Sequence, residues 1–93
     1  MLYFKATNVE ELEEEAKKRS HEVSIAVITA VIKALDQNAD KVVIGVLSTL
    51  DLDLSVDKSG YKEALETNLV RCEEAEEYEL CKDAIKWIIK LKS

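Results

Sequence analysis

Val42-Val43-Ile44-Gly45-Val46-Leu47, residues 42–47, is the longest apolar run in the chain. Its length suits a strand and falls short of a helix, and its β-branched residues pack well on a pleated surface. No polar residue alternates with the apolar ones, so the pattern predicts a strand buried on both faces, the centre of a sheet. Downstream, Leu50, Leu52, Leu54 and Val56 alternate with Thr49, Asp51, Asp53, Ser55 and Asp57, which puts one face in a core and the other in water. That is an edge strand, and its outward acids oppose pairing with another chain. Either a tight turn at Ser48 and Thr49 or a bent continuation of the central strand satisfies this stretch.

Upstream, Asp36-Gln37-Asn38-Ala39-Asp40 closes a helix, with Asn38 suited to a left-handed cap. On that helix Val23, Val27, Ala30 and Ala34 share a face with the earlier Val9, Leu12 and Ala16, which lets either one helix run over about residues 8–37 or two helices meet at Ser20 and His21, the one plausible break. From Val23 to Leu35, residues 23–35, the apolar arc widens to roughly 220° at 100° per residue, leaving Thr29, Lys33 and the adjoining Asp36 as a narrow polar stripe. An arc that wide exceeds what a small sheet covers, so this helix is the expected surface of a homodimer. Ahead of it, Leu2, Phe4 and Ala6 alternate with Tyr3 and Lys5 and predict a short strand. Thr7 or Asn8 then caps a helix, with a glutamate three residues on to close a capping box. Glu10, Glu11, Glu13, Glu14 and Glu15 open this helix and Lys17, Lys18 and Arg19 close it, matching the dipole. Glu13–Lys17 and Glu14–Lys18 stand at the spacing of i,i+4 ion pairs.

After Asp57-Lys58-Ser59-Gly60, Tyr61, Ala64, Leu65, Leu69 and Cys72 form one helical stripe. Tyr78, Leu80, Cys81, Ala84, Ile85, Trp87, Ile88, Ile89 and Leu91 form a second apolar set, its centre rotated from the first by about 160° in the same angular frame. An unbroken helix would bury Glu73, Glu74 and Glu77, which costs far more than ending a helix, so a break is predicted at residues 73–77. Such a turn brings Cys72 and Cys81 together near the mouth of a helical hairpin, where oxidation could link them. The fold class expected is α/β or α+β, a sheet of two or three strands with up to four helices in the order β-α-α-β-β-α-α.

At 93 residues the chain is expected to form one domain. Its 13 basic and 19 acidic residues leave a net charge of -6, a balance that disfavours phosphate backbones and anionic lipid and favours a basic protein partner. No apolar run has the length of a membrane span. The opening residues leave no room for a signal peptide, so a cytoplasmic location with reduced cysteines is expected.

Residues that could carry chemistry are few. His21 is the only histidine, and a catalytic pairing with Cys72 or Cys81 would depend entirely on the fold. Asp51-x-Asp53-x-Ser55-x-Asp57 has the oxygen spacing that opens a calcium loop, but Val56 stands where such a loop needs glycine and Lys62 where it needs glutamate. Lys82, Lys86 and Lys90 form a basic stripe beside Ile85, Trp87 and Ile89, the composition of some docking helices and also an ordinary match to a helix C-terminus. Gly45 and Gly60 stand alone, so there is no phosphate loop, and Arg19 and Arg71 make no arginine cluster. No catalytic, cofactor-binding or metal residue is assigned. The function expected is a non-catalytic binding or regulatory protein that presents an acidic surface. The alternatives are a small metal-dependent enzyme using Asp51, Asp53 and Asp57, and a self-associating structural domain.

Overall fold

The computed structural model describes residues 2–92. Strands β1 (Leu2–Phe4), β2 (Lys41–Leu47) and β3 (Leu52–Asp57) and helices α1 (Val9–Lys18), α2 (Ser20–Asp36), α3 (Tyr61–Glu74) and α4 (Tyr78–Lys92) follow the order β-α-α-β-β-α-α. The sheet order is β1-β2-β3, with β1 parallel and β3 antiparallel to β2. A parallel pair cannot be closed by a hairpin, and here α1 and α2 make the crossover. The antiparallel pair is joined by a turn after Leu47 in which Asp51 takes φ 52, so the tight connection, not a bent continuation, is the one realised.

β2 is central, but its burial departs from the two-faced reading. Gly45 and Leu47 are buried, whereas Val42, Val43, Ile44 and Val46 are half-buried. Val42 and Ile44 pack on one core cluster and Leu47 belongs to the other, while Val43 and Val46 belong to neither. A register shift between Val43 and Gly45 makes Ile44 the extra residue of a bulge, which changes the inward parity from 42 and 44 to 45 and 47. On the opposite face Tyr3 lies beside Val46 and Val46 beside Asp53, with Tyr3 and Asp53 both exposed. β3 likewise buries less than its alternation predicts: Leu54 and Val56 are half-buried, but Leu50 and Leu52 are 50% and 52% exposed because the turn carries them past the end of the core.

The larger core joins α2, α3 and α4 through Val27, Ile28, Val31, Leu65, Cys72 and Ala84, with Val42, Ile44 and Val56 of the sheet packed against it. The smaller one, Leu2, Phe4, Ala6 and Leu47, receives Leu12 and Ala16 of α1. The wide apolar arc of α2 is thereby covered inside the chain, by β2 on one side and α3 and α4 on the other. The dimer surface expected on residues 23–35 loses its basis: the sequence counted one sheet as cover, and two helices far along the chain supply the remainder.

Helix ends explain the remaining boundaries. Asn8 accepts from the Glu11 amide at 2.9 Å, and the Glu11 carboxylate accepts in return from the Thr7 amide and hydroxyl. Arg19, at φ -112 and ψ 29, breaks the long helix one residue before Ser20. Asn38 adopts φ 54, with its amide donating to Leu35 O and that of Ala39 to Ala34 O, a Schellman cap. Ala75, Glu76 and Glu77 form the predicted break between α3 and α4; Glu76 has φ 62, and the Glu77 amide donates to Cys72 O.

Candidate functional site

α1 lies on the outside of the molecule and buries none of its residues completely. Its contact with the core is limited to the half-buried Leu12 and Ala16. What fixes it is the corner with α2. There the Arg19 guanidinium donates to Tyr3 O at 2.8 Å, pairs with Glu15 at 3.3 Å and Glu22 at 2.7 Å, and stacks 5.1 Å from the centre of the Phe4 ring. The hydrogen bond with Arg19 holds the Glu22 carboxyl below its usual range. The sequence reading assigned Arg19 only to the helix dipole. Its acids at i−4 and i+3 were the available clue, but the bond to β1 depends on the tertiary fold.

The five glutamates of α1 divide by role. Glu11 closes the cap, and Glu15 accepts from the Lys5 amide at 3.2 Å and pairs with Arg19. Glu10, Glu13 and Glu14 are exposed. The expected Glu13–Lys17 and Glu14–Lys18 bridges are not formed: among the described residues the ion pairs are those of Arg19, His21–Glu74 and Lys62–Glu66. Exposed i,i+4 pairs gain little over the entropy of holding two long side chains, so three carboxylates stay free on one side of an outer helix.

Beside them runs a groove of about 470 Å³ between α1, α2 and α3, lined by Glu13, Lys17, Ser20, Ser24, Asn68 and Arg71 among others. Its floor is polar. Ser24, fully buried, donates to Asn68 Oδ1 at 2.9 Å and accepts from Arg71 Nη1 at 3.4 Å, while Asn68 Nδ2 donates to Ala64 O at 2.7 Å. Arg71 lines the groove and enters none of the ion pairs among the described residues. Chemically, the groove offers one carboxylate, Glu13, to a cation and one guanidinium, Arg71, to a carboxylate or carbonyl oxygen, while Glu10 and Glu14 lie on α1 outside it. Sequence reasoning missed Ser24, Asn68 and Arg71 because they stand 44 to 47 residues apart in pairs that only the packing of α2 on α3 brings together.

The other sequence candidates are dispersed. His21 is about half exposed and contacts Glu74 at 3.2 Å, not a cysteine. Asp51 occupies the turn and Asp53 and Asp57 are exposed on β3, Asp57 accepting from the Ser59 hydroxyl at 2.6 Å. Among the described residues no three His, Cys, Asp or Glu side chains group where a metal could be held. Cys72 and Cys81 are buried free thiols. Burial first, then the neighbouring Cys81 thiol and the charges of Glu77 and Glu73, push the Cys72 thiol up to about 12, the reverse of what a nucleophile needs. Trp87 is half-buried against the larger core, with the Lys90 ammonium 4.7 Å from its ring centre.

These burials predict an alkaline limit to stability. The Tyr61 hydroxyl donates to Ala39 O at 3.0 Å, and burial, aided by Asp40 and Asp57, raises its pKa. For both Tyr61 and Cys72 the folded protein holds a proton that the unfolded chain releases more readily, so their contribution is intact below the unfolded values and lost as pH rises through the folded ones, for Cys72 from about 9 towards about 12. Urea unfolding between pH 8 and 11 is expected to show falling stability, with a shallower fall in Tyr61→Phe; equal slopes in wild type and variant would contradict this.

Compared with protein-family models, curated proteins and solved structures, the chain finds no match, so its function is argued from its own geometry.

Proposed function

We propose that this protein is a non-catalytic binding or regulatory module that receives a basic segment of a partner protein along α1 and the adjoining groove. The observation that carries this reading is the set of three exposed carboxylates, Glu10, Glu13 and Glu14, without ion-pair partners on a helix that buries no residue. Unpaired carboxylates on an outer helix raise the local concentration of cations and speed encounter with a basic partner, an effect that weakens with salt. Arg71 and the Ser24–Asn68 pair in the groove give such a segment a polar register. The net charge of -6 adds long-range attraction of the same sign. The reading sets the protein in the cytoplasm, with Cys72 and Cys81 as reduced buried thiols.

A fluorescently labelled lysine- and arginine-rich peptide is the probe. Its anisotropy is expected to rise with protein concentration, and Glu10→Gln, Glu13→Gln and Glu14→Gln together are expected to weaken binding at least about tenfold at low salt. Because those side chains are exposed, the triple variant should keep the wild-type circular dichroism spectrum. Equal binding by the triple variant, or none by the wild type, would overturn the reading.

A further inference from the structure

The two edges of β2 are unequally covered. β3 pairs along one edge from Lys41 to Leu47, whereas β1 reaches only Gly45, Val46 and Leu47 on the other. Among the described residues no strand lies beside residues 41–44 on the β1 side. Backbone groups of a strand alternate in direction, so this stretch presents at least one residue whose N–H and C=O only water or a further strand can meet.

A hollow of about 450 Å³ occupies the place such a strand would take, for it touches residues 41, 42, 43 and 44 in succession. Consecutive side chains of a strand point to opposite faces, so a hollow that meets all four follows the backbone edge and does not lie over one face. Because β3 fills the other edge, the open one is on the β1 side. The far wall is α2, where the half-buried Ala26 and Ala30 leave room that larger side chains would fill. Its charged lining is Lys33 and Lys41, both exposed and in none of the ion pairs among the described residues.

These features select the occupant. A bare edge calls for extended backbone, alanines on the wall accept aliphatic side chains, and two lysines call for carboxylates. A second folded copy fits poorly, because the same edge of that copy carries its own β1 and α2, which would meet their counterparts before the strands could pair. We infer that the protein takes up an extended, acidic segment of a partner protein by strand addition, beside residues 41–44 of β2 and in line with β1. Its aliphatic side chains lie against Ala26 and Ala30, and its carboxylates meet Lys33 and Lys41. At about 3.3 Å per residue the slot is about 13 Å long, enough for a short segment only. It shares no lining residue with the α1 groove and takes the opposite charge, so the two proposals stand or fall separately.

The probe is a capped peptide of about six residues alternating valine and glutamate, with hydrogen exchange of the whole protein as the readout. At saturating peptide, at least one of the Val42, Val43 and Ile44 amides is expected to exchange at least about tenfold more slowly. The same peptide methylated at every backbone nitrogen has no donors for a ladder and should leave these amides unprotected. A valine–lysine peptide should leave them unprotected too. Ala30→Phe, which fills the hollow, is expected to weaken binding at least about tenfold, as are Lys33→Glu and Lys41→Glu together. The lysine positions are exposed, so the double variant should keep the wild-type circular dichroism spectrum. Unchanged exchange at residues 42–44, or equal protection by the methylated or lysine peptide, would overturn the inference. So would loss of binding on replacing Glu10, Glu13 and Glu14 by glutamine, which would place the peptide on α1. Protection that grows with protein concentration alone would also overturn it, by making the edge an interface between copies.

Discussion

Leu65→Ala is expected to destabilise the protein by about 2–5 kcal/mol, the largest effect of any single truncation considered. Leu65 is completely inaccessible and belongs to the core that joins α2, α3 and α4. Removing its branched end loses both transfer free energy and the contacts of the atoms around the void. Three helices with interlocked side chains cannot all close on a gap at their centre, so the cavity persists. For a domain of this size, each kcal/mol lowers the thermal midpoint by roughly 4–8 °C. Thermal unfolding followed by circular dichroism should therefore show a drop of about 10 °C or more. A drop of less than about 4 °C would mean that the three-helix core is not where stability is concentrated.

Gly45→Val is expected to detach β1 from the sheet. A Cβ at this position would lie 3.0 Å from Leu2 O, 3.1 Å from Leu2 Cβ and 3.4 Å from the Phe4 ring. The first two cannot rotate away, so the strand itself must move. β1 is held by three registered positions, by Arg19 on Tyr3 O, and by the smaller core, all of which loosen together. Overpacking of this kind costs about 1–3 kcal/mol, and here the loss is local. Hydrogen exchange reads it directly: the Ser48 amide, which donates to Phe4 O at 2.9 Å, should exchange far faster, while amides of α3 stay protected. Unchanged protection at Ser48 would contradict the close approach of β1 to β2.

Much of the fold was legible because local patterns and global packing agree. The apolar run at 42–47 marks the central strand, Asn38 marks the end of α2, and the two rotated stripes required a break at 73–77. What fixes that break was hidden. Its left-handed position is occupied by Glu76, where glycine or asparagine would have announced it, so the evidence lay in side-chain periodicity alone. The bulge at Ile44 also escaped notice, since a shift of parity inside an all-apolar run leaves no mark on the pattern. The cover of α2 was misjudged for a similar reason, because the helices that supply it come 25 residues and more downstream. The candidate site was half legible. The acids of α1 were evident, but which of them remain free depends on Asn8, Lys5 and Arg19, and the groove floor depends on contacts between α2 and α3.

The central claim, that α1 and its groove receive a basic segment, is tested most directly by titrating isotope-labelled protein with the lysine- and arginine-rich peptide and following each backbone amide by nuclear magnetic resonance. The account predicts saturable shifts concentrated in residues 10–17 and around Ser20, Asn68 and Arg71, diminishing as salt rises. Shifts confined to the acidic turn at 73–79, or spread evenly over every exposed carboxylate, would contradict it.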